Sequence, residues 1–192
     1  MDAVAAIPGV ESVGLTDALL LNVQNISSVF TDRTTDLRPA NATADVYTYH
    51  ISPEYLHAEG TTLLSGRIFT WHDDKESPRV AVVNEEFARK IFGSVNNAIG
   101  GYYKMPDGTR IQVVGVAENG KYSKLTEDPQ LAMFLPIPQF PSDSAWLVVR
   151  SSRDPLVLAG VVVAMALLGL LATWIPARRA LSVDPSILLR EE

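Results

Sequence analysis

The sequence predicts an α+β domain with mostly antiparallel strand pairing, followed by one C-terminal transmembrane helix. Three observations carry this. The run ADVYTYHI at Ala44–Ile51 alternates, with Val46, Thr48 and His50 on one face and Tyr47, Tyr49 and Ile51 on the other, as a strand requires. The run RVAVVNEEFARKIFG at 79–93 reads as strand, cap, helix and stop in one line. Residues 156–175, LVLAGVVVAMALLGLLATWI, hold no charged side chain. At about 1.5 Å of rise per residue they span roughly 30 Å, the thickness of a bilayer's hydrocarbon core.

The elements follow in order. Residues 2–7 form a helical stub ended by Pro8-Gly9, because a residue before proline leaves the α region and glycine permits the reversal. Residues 10–15 read as a strand. Residues 19–29 are ambiguous, with 26–30 leaning towards strand. The polar stretch 31–43 is a hairpin loop leading to Ala44–Ile51. Ser52-Pro53-Glu54 resembles a helix start with Ser52 as N-cap and Pro53 at the first helical position, and this short helix ends near Gly60. A brief strand at 61–64 precedes a turn at Gly66, and 69–78 is a polar loop.

Beyond 79–83, a strand, Asn84 caps a helix with Glu85 and Glu86 in its first turn, Phe87 and Ile91 stacked at i, i+4, and Gly93 as terminator. A strand near 102–105, the turn Pro106-Asp107-Gly108 and a strand at 109–117 make a hairpin, since Asp-Gly suits the tight reversal. Gly115 interrupts the second strand and marks a bulge. Residues 118–130 are a polar loop, and 131–136 and 145–150 are the last strands. After 175, Asp184-Pro185 opens a short helix.

Composition narrows the function. The 192 residues carry a net charge of −6, which argues against a nucleic-acid binder, since that would need a basic face. There is no cysteine, so disulfides, thiolate metal sites and cysteine nucleophiles are excluded. The N-terminus has neither a basic nor an apolar leader region and is not a signal peptide. Trp174 sits where an interfacial aromatic would, and Arg178 and Arg179 follow at once. By the positive-inside rule the chain is single-pass with its N-terminal domain outside and its C-terminus cytoplasmic. The expected division is 1–153 extracytoplasmic, 154–177 transmembrane and 178–192 cytoplasmic.

No catalytic, cofactor or metal grouping emerges. His72 with Asp73 and Asp74 is the nearest to a metal cluster, yet adjacent loop residues point in different directions. His50 and His57 read as structural or surface residues. The Glu85/Glu86 pair is explained by helix capping. No phosphate loop, nucleophile elbow or S-x-x-K pattern occurs, so the chain is neither an ATPase nor a recognisable hydrolase. Asn25-Ile26-Ser27 and Asn41-Ala42-Thr43 match the glycosylation pattern, a tripeptide frequent by chance. The apolar segment has no ionisable group and hence no ion relay, and Gly160 and Gly169 lie too far apart for a GxxxG face.

Four pieces in one order are familiar: Gly66-Arg67 with Phe69-Thr70, VAVVNEEFARKIFG at 80–93, Ile99-Gly100, and Val113-Val114-Gly115-Val116. Together they resemble the extracytoplasmic core domain of MacB/FtsX-type ABC transporter permeases, and the tail IPARRALSVDPSILLREE resembles the end of those permeases' last transmembrane helix. The resemblance implies a two-lobed periplasmic domain in the bacterial inner membrane, with the lipid bilayer, a separate ABC-type ATPase subunit, and other permease helices or a second permease copy as partners. It implies no cofactor. Such permeases usually have four transmembrane helices, with the domain between the first and second. This chain has one, running from Arg153-Asp154-Pro155 straight into the last. The expectation is therefore a truncated or internally deleted permease. A single-pass interaction module without ATPase coupling, and a membrane-anchored enzyme, are the alternatives.

Overall fold

The computed structural model describes residues 2–7, 9–19, 21, 25–141, 145–151 and 165. Up to Ser151 the described residues form four α-helices, nine strands and a 3-10 turn at Pro39–Asn41, in the order α1 (Asp2–Ala5), β1 (Val10–Thr16), β2 (Ile26–Thr31), β3 (Ala44–Ile51), α2 (Tyr55–Glu59), β4 (Leu63–Gly66), β5 (Val80–Asn84), α3 (Glu85–Phe92), α4 (Val95–Ala98), β6 (Tyr102–Lys104), β7 (Arg110–Ala117), β8 (Ala132–Pro136) and β9 (Trp146–Ser151), the 3-10 turn lying between β2 and β3. The mixed α+β class and the antiparallel majority stand. Among the described residues only β3 with β8 and β5 with β7 pair in parallel.

The strands run β2-β6-β7-β5-β8-β3-β1-β9, with β4 on β7. Because β2 also pairs with β3, six strands close into a ring, and β1 and β9 extend from it. Closure explains the burial. One cluster takes Val29 from β2, Val46 from β3, Val83 from β5, Tyr103 from β6, Ile111 from β7 and Leu135 from β8. A cluster fed by all six strands is the ring's inner face. The outer cluster takes Tyr49, Ile51, Val82 and Phe134, covered by Tyr55 and Leu56 of α2 and by Phe69 and Tyr122. Strands β5 and β8 therefore bury every residue, alternating between the clusters.

Pairing directions separate the ring's two ends. Asn84 at the end of β5 pairs with Ala117 at the end of β7, and its side chain reaches the start of β8. Helices α3 and α4 close this end, inserting Phe87, Ala88 and Ala98 into the inner cluster. The opposite end carries the β6–β7 turn and the last residues of β3 and β8.

The bulge at Gly115 is present. Ala81 pairs with Val113 but Val82 pairs with Gly115, so Val114 is the extra residue. It shifts the facing of β7, so that Val113 and Val116 both join the inner cluster. A Cβ on Gly115 would collide with the Arg67 carbonyl oxygen.

Some expectations are corrected. Ser52 does not cap α2. Its hydroxyl accepts from the Leu15 N–H at 3.1 Å, tying the corner to β1, while Glu54 precedes the helix without a side-chain cap. The brief strand lies at Leu63–Gly66, so Gly66 ends it rather than turning after it. Helix α4, capped by Ser94 through the Asn97 N–H, was not expected.

Met1–Ser151 form one compact unit, and its two hydrophobic clusters are the two faces of one sheet, where the resemblance implies two lobes. The second unit, Ser152–Glu192, lies outside the described residues except Met165, which is helical. The expected spanning segment 156–175 and the short helix after Asp184 fall there. Among the described residues no helix is long and apolar enough to cross a membrane.

Candidate functional site: a cleft at the open end of the ring

A cleft of about 690 Å³ occupies the open end. One wall is the β6–β7 turn, with Met105, Pro106, Asp107 and Thr109. Opposite are Thr48 and His50, which share the inward face of β3 with Val46, and the segment before and into β2 at Asn25–Ser27. Leu135, Phe140 and Pro141 supply an apolar side.

Asp17 organises this end. It follows β1 directly, and its side chain is only 3% exposed. One carboxylate oxygen accepts from the His50 backbone N–H at 2.9 Å. The other lies 2.6 Å from His50 Nδ1 and 3.2 Å from Asn25 Nδ2. The backbone adds Asp17 N to His50 O at 3.0 Å and Thr48 N to Asn25 O at 2.9 Å. The reason is topological: β2 occupies the edge of β3 at 44–47 and β1 takes it over at Ile51. At that junction the Asp17 backbone meets the His50 carbonyl, and the Asp17 side chain takes the His50 N–H. A carboxylate oxygen accepts, so the Nδ1 facing it is the donor, and Nε2 lies outside that contact. The Phe140 ring lies 6.1 Å from the imidazole and carries the Arg79 guanidinium at 5.1 Å.

The remaining singled-out residues lie apart. Asp73 forms a two-pronged ion pair with Arg67, 2.9 Å at each contact, and accepts from the Thr70 N–H. Asp74 accepts from the Glu76 and Ser77 N–H groups, and the Ser77 hydroxyl donates to the His72 carbonyl. These acids brace the loop 67–78 rather than converge, and among the described residues no group of three potential ligands gathers. The His57 carbonyl accepts from Arg150 at 3.2 Å. Glu85 pairs with Arg89 one turn on. Asn41 donates to the Asp36 carbonyl.

Thus His50, read as structural or surface, is both a structural partner and part of the cleft wall. Asp17 and Asn25 were missed as members of the site. Asp17 has no sequence signal beyond being an aspartate after a strand, which is ordinary turn chemistry.

The comparisons bear on the whole fold. The family model for the MacB-like periplasmic core domain matches residues 2–173. No curated protein matches the chain. Among solved structures, the periplasmic region of MacB from Actinobacillus actinomycetemcomitans is similar with a TM-score of 0.54 and 19% identity, over 80% of this chain and 63% of that one. The extracellular domain of the noncanonic ABC-type transporter YknZ from Gram-positive bacteria has a TM-score of 0.51 and 16% identity, over 82% and 74% of the two chains. A domain of a putative permease from Porphyromonas gingivalis has a TM-score of 0.53 and 20% identity, over 85% and 72%. The chain thus spans less than two thirds of that MacB region.

Proposed function

The chain belongs to the MacB-like periplasmic core domain family, and from that premise we propose that it is a membrane-anchored permease component, or permease remnant, of an ABC-type transport or mechanotransmission system. The match across residues 2–173 carries this reading, because it covers the folded ring and continues into the uncharged segment 156–175. The chain is non-catalytic in this role and relies on a separate ATPase subunit. The ring stands outside the inner membrane, 156–175 crosses it once, and the tail after Pro176, with Arg178 and Arg179, faces the cytoplasm. Other permease helices, or a second permease copy, complete the membrane part, since one helix without an ionisable group offers no pathway.

Membrane fractionation with protease protection tests the topology. The chain should sediment with membranes, and protease applied to the outer face should remove the part before residue 153 while sparing the tail. A fully soluble chain, or a domain digested only from the cytoplasmic side, sinks it. Co-purification with an ATPase subunit, lost on deleting 176–192, tests the coupling separately.

A further inference from the structure

We propose that the cleft at the open end of the ring binds an organic ammonium, a protonated amine carried on an apolar body. The sign of the charge comes first. The lining holds two carboxylates, Asp17 and Asp107, and one imidazole, His50. The lining is net negative whether or not His50 is protonated. Among the described residues no lysine or arginine lines the cleft. The cations flanking the β6–β7 turn are held elsewhere: Lys104 donates to the Thr34 carbonyl at 3.0 Å and Arg110 grips Asp32 at 2.7 and 2.9 Å, while Arg79, stacked on the wall residue Phe140 at 5.1 Å, donates to the Gln139 carbonyl at 2.9 Å.

Acceptor geometry agrees. Asp17 is sunk into the wall and, among the described residues, meets His50 and Asn25, so it fixes the imidazole rather than meeting the ligand first. With Nδ1 engaged by Asp17, Nε2 is the ring nitrogen outside that contact, and in the neutral form of the ring it is an acceptor for an N–H donor. Across the cleft Asp107 is exposed and is touched by the N–H and hydroxyl of its neighbour Thr109, both at 2.8 Å. A carboxylate has about four lone-pair positions, so two contacts leave acceptor capacity for an ammonium. The body of the ligand meets Ile26, Met105, Leu135, Phe140 and Pro141. A volume near 690 Å³ lies within the roughly 300–1,000 Å³ of small-molecule sites.

The proposal does not depend on the permease reading, and its test uses neither an ATPase nor a topology assay. The full chain in zwitterionic lipid nanodiscs is titrated calorimetrically with hexylammonium, hexanol and hexanoate, with empty discs as blanks. Hexylammonium should saturate at one site, hexanol should bind roughly tenfold more weakly, and hexanoate should not saturate. Asp107→Asn should weaken hexylammonium several-fold, and Glu76→Gln, on the braced outer loop, should leave it unchanged. Hexanoate binding as well as hexylammonium, no saturation with any probe, or equal effects of the two variants would each overturn the proposal. The three-probe comparison uses the unaltered chain, so it stands even if a variant misfolds.

Discussion

The two ends of the ring use polar side chains in opposite ways. At the closed end Asn84 is fully buried, and each of its side-chain atoms has partners inside the protein. Its oxygen accepts from the Phe87 and Ala132 N–H groups, both at 3.0 Å, and its nitrogen donates to the Gln130 carbonyl at 2.7 Å. One residue thus caps α3 and aligns it with the neighbouring strand. At the open end Asp17 performs a similar junction role for His50 and Asn25, but His50 and Asp107 keep a side towards solvent. The closed end is built for permanence and the open end keeps acceptors to spare. A fold that needs one end sealed can leave the other free for recognition.

Substitutions can break that contrast. The largest loss is expected for Phe87→Ala, which empties a fully buried site where the ring meets Tyr103 edge-on at 5.1 Å. Urea unfolding should register about 4 kcal/mol. Asn84→Ala should follow at about 3 kcal/mol, because it removes a helix cap and strands buried backbone groups. Asp17→Ala should cost about 2 kcal/mol by the same measurement, since its donors lie beside a cleft that water can enter. If the Asp17 loss exceeded that of Asn84, the open end would be the structural keystone and the contrast would fail.

The smallest effect lies outside both ends, on the braced loop. The hydrogen-bonding Arg67 guanidinium beside Asp73 holds its carboxyl below the usual carboxylate range. A depressed folded pKa means that the stabilisation is complete above the unfolded value, about 3.9, and is lost as pH falls through the lower folded value. Asp73→Asn should therefore flatten the acid limb of the stability curve below pH 4 and change little at neutral pH. Equal acid sensitivity in the variant would show that Asp73 is not a source of that limb.

Legibility in the sequence follows the range of the interactions. The α3 cap, its Gly93 stop and the Asp107-Gly108 hairpin are set by contacts within a few residues, and they appear where local chemistry places them. The Gly115 bulge was visible because a glycine breaking an apolar strand has few other uses. Ser52 misled because the same hydroxyl that could cap α2 is engaged by Leu15, 37 residues away. Helix α4 escaped because VNNA shows too little periodicity for a helix of four residues.

By itself the sequence determined the α+β class, most strand positions, the absence of cysteine chemistry and the uncharged segment at 156–175, because composition and short-range periodicity encode these directly. Only the tertiary structure decided that six strands close into a ring, that its faces carry separate cores, and that Asp17 meets His50 across 33 residues. Closure depends on β2 pairing with both β3 and β6, and the cleft exists only because closure gives the ring two ends.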